Sequence, residues 1–489
     1  MVCMFCLMGG IGDGCSLING QMSGFGEEIL WGSHPESMKI YYIWCGFSPP
    51  YGFMRLPVEY SVYSDLLKQM DILDIASATI RQTGAIAKTL EEQFHTEFIH
   101  LEMGVPGLPP VREGIEAEKQ ALDSGIAAQY PNMYGAPKLK EQASRFLKAY
   151  LDIDVAPLGC IPTVGSMQGS FSTFILCSHL TEGKDTILFI DPGFPVQRTQ
   201  TRILGIPSDS FDIYDFRGDK LGPELERHLQ TGRIAAVIYS SPNNPAWFNL
   251  TEDELKTIGT LATKYDTIVI EDLAYMCMDF RKPLGQPFQP PFQPTIAKYT
   301  DNYIIMMSGS KMFSYAGQRI AVIAISDYLY HREYPMLRTC YRMSRLGEAY
   351  VFAVLYAVSS GATHSAQYAM AEMLRAAADG ELDFVTSAAE YARRAKISKK
   401  MFLDNGFHIV YSMDGDVPVS DGFFYTVGYK DMESGELMGE LMRYGMAAIA
   451  LSSTGSRQKG VRICVSQLNR QEQFDMLEER LRLFAADHR

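Results

Sequence analysis

The amino-acid order predicts an α/β protein, with a large domain whose mostly parallel sheet is flanked by helices and a smaller α+β domain after it. Three observations carry this. Short aliphatic runs alternate with amphipathic helical stretches from Val155 to about Phe384, as strands and their covering helices do. The rhythm then changes, with helices and strands that no longer alternate one for one. A chain of 489 residues also exceeds one ordinary core, so a second domain is expected.

Residues 1–53 differ in composition from all that follows. They hold two of the three tryptophans (Trp31 and Trp44), many glycines, no clean periodicity and no cation before Lys39. Without a positive start or a small-residue cleavage site, this leader does not read as a secretory signal, and a cytoplasmic protein is expected. The fold is expected to begin near Met54, the leader being a loosely ordered extension or an artefact of start-site choice. Residues 54–150 carry helices and a Gly/Pro-rich stretch, HLEMGVPGLPPVREGI, and are expected to join both domains.

Within the large domain, 151–384, five runs read as strands: Thr186–Ile190, Ala235–Tyr239, Thr267–Ile270, Tyr303–Met307 and Arg319–Ile325. Thr251 to Tyr265 reads as a helix, with Thr251 and Glu254 spaced as a capping box. Ala349–Ala371 carries no charge, but Ser359, Ser360, Gly361, Thr363, His364, Ser365 and Gln367 make it too polar to span lipid. It reads as a buried helix, a break and a second helix. In the small domain, 385–489, a helix over Ala388–Asn405 precedes strands at His408–Tyr411 and Phe423–Val427. A helix at Gly435–Tyr444, a strand at Val461–Val465 and a final helix from Arg470 complete it.

The formal charge of −13, spread without a long basic run, argues against a nucleic-acid surface. Nine cysteines in a chain this long form no disulfide framework. Cys160, Cys177, Cys277, Cys340 and Cys464 sit in separate apolar contexts and read as reduced core residues. Cys3 and Cys6 form a lone CxxC for which Cys15 and Cys45 supply no second pair, so no metal site is expected.

The chemistry gathers at strand ends. The run NYIIMMSGSKMFSYAGQR ends an apolar strand in Ser308-Gly309-Ser310, presents Lys311, and reaches Arg319 eight positions later. One amine among small hydroxyl residues, with an arginine beyond, suits a cofactor that has both a carbonyl and a phosphate, which suggests pyridoxal phosphate. A lysine after a strand is ordinarily only solvated, so this reading draws on further segments. TIVIEDLAYMCMDF places Glu271 and Asp272 at a strand's carboxyl end, where open α/β sheets gather functional groups. A buried carboxylate there needs a cation, and a protonated pyridine nitrogen would serve; an acidic helix cap gives the same pattern.

VIYSSPNNPAWFNL ends another strand in a Pro/Asn turn, a common strand-to-helix loop. Functionally, the Asn244 amide and the Tyr275 hydroxyl could both donate to a phenolate oxygen and stabilise its anion. Gly165-Ser166-Met167-Gln168-Gly169 opens a helix, whose free N–H groups and dipole make an anion seat, although Gly/Ser helix starts are frequent. Ser308, Ser310 and the Arg319 fork could close that cradle from the far side.

GSMQG, DPGFP, SPNNP, EDLAY, SGSK and VRICVS follow one another in an order that resembles the class I/II aminotransferases, the fold-type I enzymes dependent on pyridoxal 5'-phosphate. The resemblance runs from about Phe98 to the C-terminus. It implies that Lys311 binds the cofactor aldehyde, Asp272 pairs with the pyridine nitrogen, and Asn244 and Tyr275 contact the ring hydroxyl. Gly165, Ser166, Met167 through its backbone, Ser308, Ser310 and Arg319 would form the phosphate site, and Phe194 of DPGFP would stack on the ring. Arg462 of VRICVS resembles the arginine that grips the substrate α-carboxylate, and Gly104 the glycine lining that pocket. Tyr130, in QYPNMYG, resembles the tyrosine that reaches the neighbouring subunit's phosphate site, which implies a homodimer. The implied activity is ping-pong transfer of an amino group between an amino acid and a 2-oxo acid.

Two departures stand out. Ala246 and Trp247 follow Pro245 where the family commonly has a small polar residue and glycine, and Asp279–Pro294 is a Pro-rich insertion, expected to be a lid or dimer contact. Arg281 within it reads either as a clamp for a substrate side-chain carboxylate or as a solvated surface residue. The alternatives to transamination are another reaction of the same cofactor, such as elimination, decarboxylation or aminocyclopropane formation, and a non-catalytic ligand sensor.

Overall fold

The central strands of the main sheet are buried on both faces and accordingly read as unbroken aliphatic runs. The computed structural model describes residues 56–489; the leader, its two tryptophans and Cys3, Cys6, Cys15 and Cys45 lie outside the described residues. Seven strands form the sheet: β1 (Cys160–Val164), β2 (Thr186–Asp191), β3 (Ser208–Asp212), β4 (Ile234–Ser240), β5 (Ile268–Asp272), β6 (Tyr303–Ser308) and β7 (Ile320–Ile325). Their spatial order is β1-β7-β6-β5-β4-β2-β3, and β7 alone runs antiparallel to its neighbours.

The period of two decides which face each side chain takes. Ile304, Met306, Ile268, Ile270 and Ile238 share one core with helix α1 (Gly165–Cys177) and Tyr350 to Leu355. Ile305, Met307, Val269 and Val237 share the other with helices α2 (Glu252–Lys264) and α3 (His364–Ala378). The capping box of α2 is closed in both directions between Thr251 and Glu254.

Helix α4 (Phe384–Asp404), α5 (Ser434–Arg443) and α6 (Gln471–Asp487) pack on a four-stranded antiparallel sheet. Its strands are β8 (Phe407–Ile409), β9 (Phe424–Tyr429), β10 (Ile449–Ala450) and β11 (Val461–Cys464). Helices at Tyr60–Gln69 and Ile80–Phe94 contribute Leu66, Ile86 and Leu90 to this same core, whereas the helix at Pro137–Leu151 packs on the large sheet. No helix among the described residues is long and apolar enough to cross a membrane.

Several expectations need correction. β1 and β3 were not expected as strands: both are edge strands, where Pro162 is tolerated in β1 and Ser208, Asp209 and Ser210 can face water in β3. β7 starts at Ile320 because Arg319 has φ +51°, outside any strand conformation. Helix α4 starts four residues early, at Phe384, where the Asp383 side chain caps it by accepting from the Thr386 N–H. Cys340 is exposed on the short helix Pro335–Tyr341, while the other four described cysteines are buried; all five are free.

Candidate active site

The carboxyl ends of β4, β5 and β6 and the amino end of β7 lie along one edge, because β7 runs the opposite way. Pairing of Val164 with Ile320 therefore brings the α1 start beside Arg319. Gly165 has φ +66°, and a Cβ there would lie 2.4 Å from Arg319 Nη2, so only glycine fits beneath the guanidinium. Arg319 donates to Ala316 O at 3.0 Å and Ser310 Oγ at 3.4 Å, and has no carboxylate partner among the described residues. The Ser308 hydroxyl caps the short helix Gly309–Met312 by accepting from the Ser310 N–H. Ser166 and Met167 sit half-buried in the first turn of α1.

Lys311 stands in that short helix and its amine donates to the Gly104 carbonyl. Burial, aided by Arg319 and Arg462, lowers its pKa to about 8, with Cys464 opposing. Arg462 is 1% exposed on β11. Its guanidinium lies 4.6 Å from the Phe424 ring centre and donates to Glu102 O and, at 3.2 Å, to Asn244 Oδ1. Its Nε has no partner, and no acid side chain pairs with it among the described residues. Burial pushes its pKa down. Tyr275 is buried against Trp247, Phe423 and Phe424, with its hydroxyl raised above the ordinary range by desolvation. A Cβ on Gly104 would lie 3.4 Å from Phe424 and 3.9 Å from the Tyr275 hydroxyl.

Asp272 ends β5. Burial raises its pKa to about 6, against hydrogen bonds from the Ala274 N–H at 3.1 Å and Gln197 Nε2 at 3.0 Å. Its neighbour Glu271 faces the other way, toward Tyr239 and Thr295, and burial raises it to about 7. Among the described residues Asp272 therefore has no cationic partner, while Lys311, Arg319 and Arg462 form no ion pair. A ring bearing a basic nitrogen, a carbonyl and a phosphate, together with an amino acid's carboxylate, would satisfy all four, so these residues fit pyridoxal 5'-phosphate.

This imbalance predicts a stability change. Because the folded pKa of Asp272 is raised from 3.8 to about 6, the folded state holds its proton longer, and stability falls as pH rises between those values. The full penalty is present at pH 7. Asp272→Asn should stabilise the cofactor-free protein at pH 7 by up to about 3 kcal/mol, with the gain vanishing below pH 4 in denaturant unfolding; no gain at neutral pH would refute the assignment.

Hydrogen bonds thus join Lys311 to Gly104, Arg462 to Asn244 and Arg319 to Ser310, with Tyr275 close to Gly104 and Gly165 beneath Arg319. Phe194 stands half-buried at the N-cap of the helix Pro195–Leu204, and Tyr130 is 89% exposed with no contact to the others. Arg281 lies exposed at the surface, with its guanidinium held by Asp279 and Asp414, each at 2.7 Å, and by Pro418 O at 2.6 Å. Gln197, Phe423 and Phe424 were not singled out. Gln197 follows DPGFP closely, but a helix-start glutamine carries no signal of its own.

A family model described as aminotransferase class I and II matches residues 96–480. A probable aspartate aminotransferase of Methanocaldococcus jannaschii is 26% identical over 236 residues, 48% of this chain and 58% of that protein. An aspartate aminotransferase of Pyrococcus horikoshii is 25% identical over 254 residues, 52% and 60% of the two chains. The matches thus span little more than half the length of these relatives. A double mutant of Thermus thermophilus aspartate aminotransferase shares the fold with a TM-score of 0.65 at 19% identity, over 83% of this chain and 96% of that one.

Proposed function

The chain belongs to the class I and II aminotransferases, and from that premise we propose that it moves amino groups between an amino acid and a 2-oxo acid, with pyridoxal 5'-phosphate held at Lys311. The observation that carries this is the pair of buried cations, Lys311 and Arg462, which donate to the carbonyls of Gly104 and Glu102 and form no salt bridge among the described residues. When bound, the cofactor supplies an electron-withdrawing ring that accepts the electrons of a breaking Cα–H bond. Arg462 would grip the substrate carboxylate with two N–H groups and so fix which bond at Cα stands perpendicular to that ring. The Lys311 amine, held near pKa 8, is suited to taking that proton and delivering it to the cofactor carbon on the far side of the amino nitrogen. Asp272 would keep the ring nitrogen protonated, and Asn244 and Tyr275 would donate to the ring oxygen. Ser308, Ser310, Arg319 and the turn Gly165–Met167 would hold the phosphate, with Phe194 on the ring face.

In this reading residues 151–384 bind the cofactor, 385–489 form the smaller domain, and 54–150 join the two. The exposure of Tyr130 supports a homodimer in which it reaches the other subunit's phosphate site. The free thiols support a reducing, cytoplasmic setting. Absorbance of the cofactor-loaded protein during addition of single amino acids tests the reading. A donor should bleach the long-wavelength band, and a 2-oxo acid should restore it. Release of ammonia or CO2 without an oxo acid would point to another reaction, and no spectral change with any donor to a ligand sensor.

A further inference from the structure

The strained loop after β4 carries a tryptophan whose packing joins both halves of the site. Trp247 has φ +65°, a left-handed conformation that costs a non-glycine residue about 1–2 kcal/mol. Its N–H donates to Asn243 O at 2.9 Å, Asn243 is bound to Phe248 O at 2.9 Å, and the Asn243 amide reaches Pro192 O at 2.9 Å. The loop is thus pinned at both ends. The indole is 0% exposed and its Nε1 has no partner. Its ring meets Tyr275 edge-on at 5.3 Å and Phe424 at 6.0 Å, and those two meet each other at 5.3 Å. Gly422 closes the far side, where a Cβ would lie 2.0 Å from the indole. No turn requirement explains a tryptophan here, since glycine would satisfy φ without strain. What only the ring supplies is a wall behind two site residues at once.

Resting on the aminotransferase reading, we propose that Trp247 is a positioning residue that sets Tyr275 and Phe424 together, and so couples the cofactor-oxygen contact to the substrate-carboxylate contact. Phe424 bears the Arg462 guanidinium on its face, and Tyr275 carries the hydroxyl proposed to donate to the cofactor. Asn244, three residues before Trp247, touches Arg462 directly. One short loop therefore braces both contacts. Without the ring, Tyr275 and Phe424 can tilt into the vacated space, the hydroxyl becomes a weaker donor, and the arginine loses its planar support.

The test compares Trp247→Phe, Trp247→Leu and Trp247→Gly in the cofactor-loaded full-length protein. Two readouts separate positioning from bulk stability: the pH midpoint of the bound cofactor's absorbance change, and KM apart from kcat. Phenylalanine should stay within about threefold of wild type, whereas leucine and glycine should raise KM about tenfold and move the midpoint up by about one pH unit. Glycine relieves the backbone strain, so wild-type constants in that variant would overturn the proposal and assign the loop conformation alone. Should the glycine variant not fold, leucine against phenylalanine decides: equal midpoints and KM values would overturn it equally. If wild type itself shows no donor-dependent spectral change, the underlying reading falls as well; if wild type responds and all variants match it, only the coupling falls.

Discussion

Lys311→Ala should fold, bind cofactor only reversibly, and lose transamination by about 10⁴-fold or more, the combined scale of a nucleophile and a proton carrier removed together. The geometry gives no substitute. Lys311 is the amine at the end of β6, buried beside Gly104, and the other cations near it, Arg319 and Arg462, are guanidiniums that form no imine. Folding should survive because the amine has no acid partner to leave stranded; truncating it removes a buried cation rather than breaking an ion pair. Borohydride treatment followed by peptide mapping is the check: wild type should carry a cofactor-modified peptide spanning position 311, and the variant none. A wild-type peptide left unmodified at saturating cofactor would remove the basis of the proposed function.

The second large effect is at Arg462. Arg462→Met should lower kcat/KM by about 10²–10³-fold, chiefly through KM, since a buried charge-assisted grip on a carboxylate is worth roughly 2–5 kcal/mol. Arg462→Lys should recover only part, because an ammonium cannot match the two-pronged geometry. The guanidinium is desolvated with no acid partner, and methionine of similar volume removes that cost while forfeiting the bonds to Glu102 O and Asn244 Oδ1. The net change in unfolding free energy should stay within about 2 kcal/mol of zero. A large destabilisation with unchanged KM would make Arg462 a structural cation and remove it from substrate binding.

The residues proposed for the cofactor stand out in the sequence because their chemistry leaves local marks. Lys311, Asp272 and Asn244 each stand within five residues of the end of an aliphatic run, and a strand end is where a sheet delivers groups to a ligand. Gly165 and Ser166 stand where a helix must begin. The proposed carboxylate clamp and its surroundings leave no such mark. Arg462 looks like any arginine in a strand, and its contact with Glu102 O lies 360 residues away in the chain. Tyr130 and Phe194 follow only from motif likeness; Phe194 caps the helix that carries Gln197, the partner of Asp272.

Period and punctuation along the chain determined the α/β class, the buried strands and the polar groups at their ends, because these depend on neighbours within a few residues. The tertiary structure alone decided that Arg281 is tied to Asp279 and Asp414, that Gln197 bonds Asp272, and that Trp247, Tyr275 and Phe424 share one aromatic wall. Apart from the local Arg281–Asp279 pair, those contacts join separate segments, and their energies come from desolvation and close packing, which no local pattern encodes.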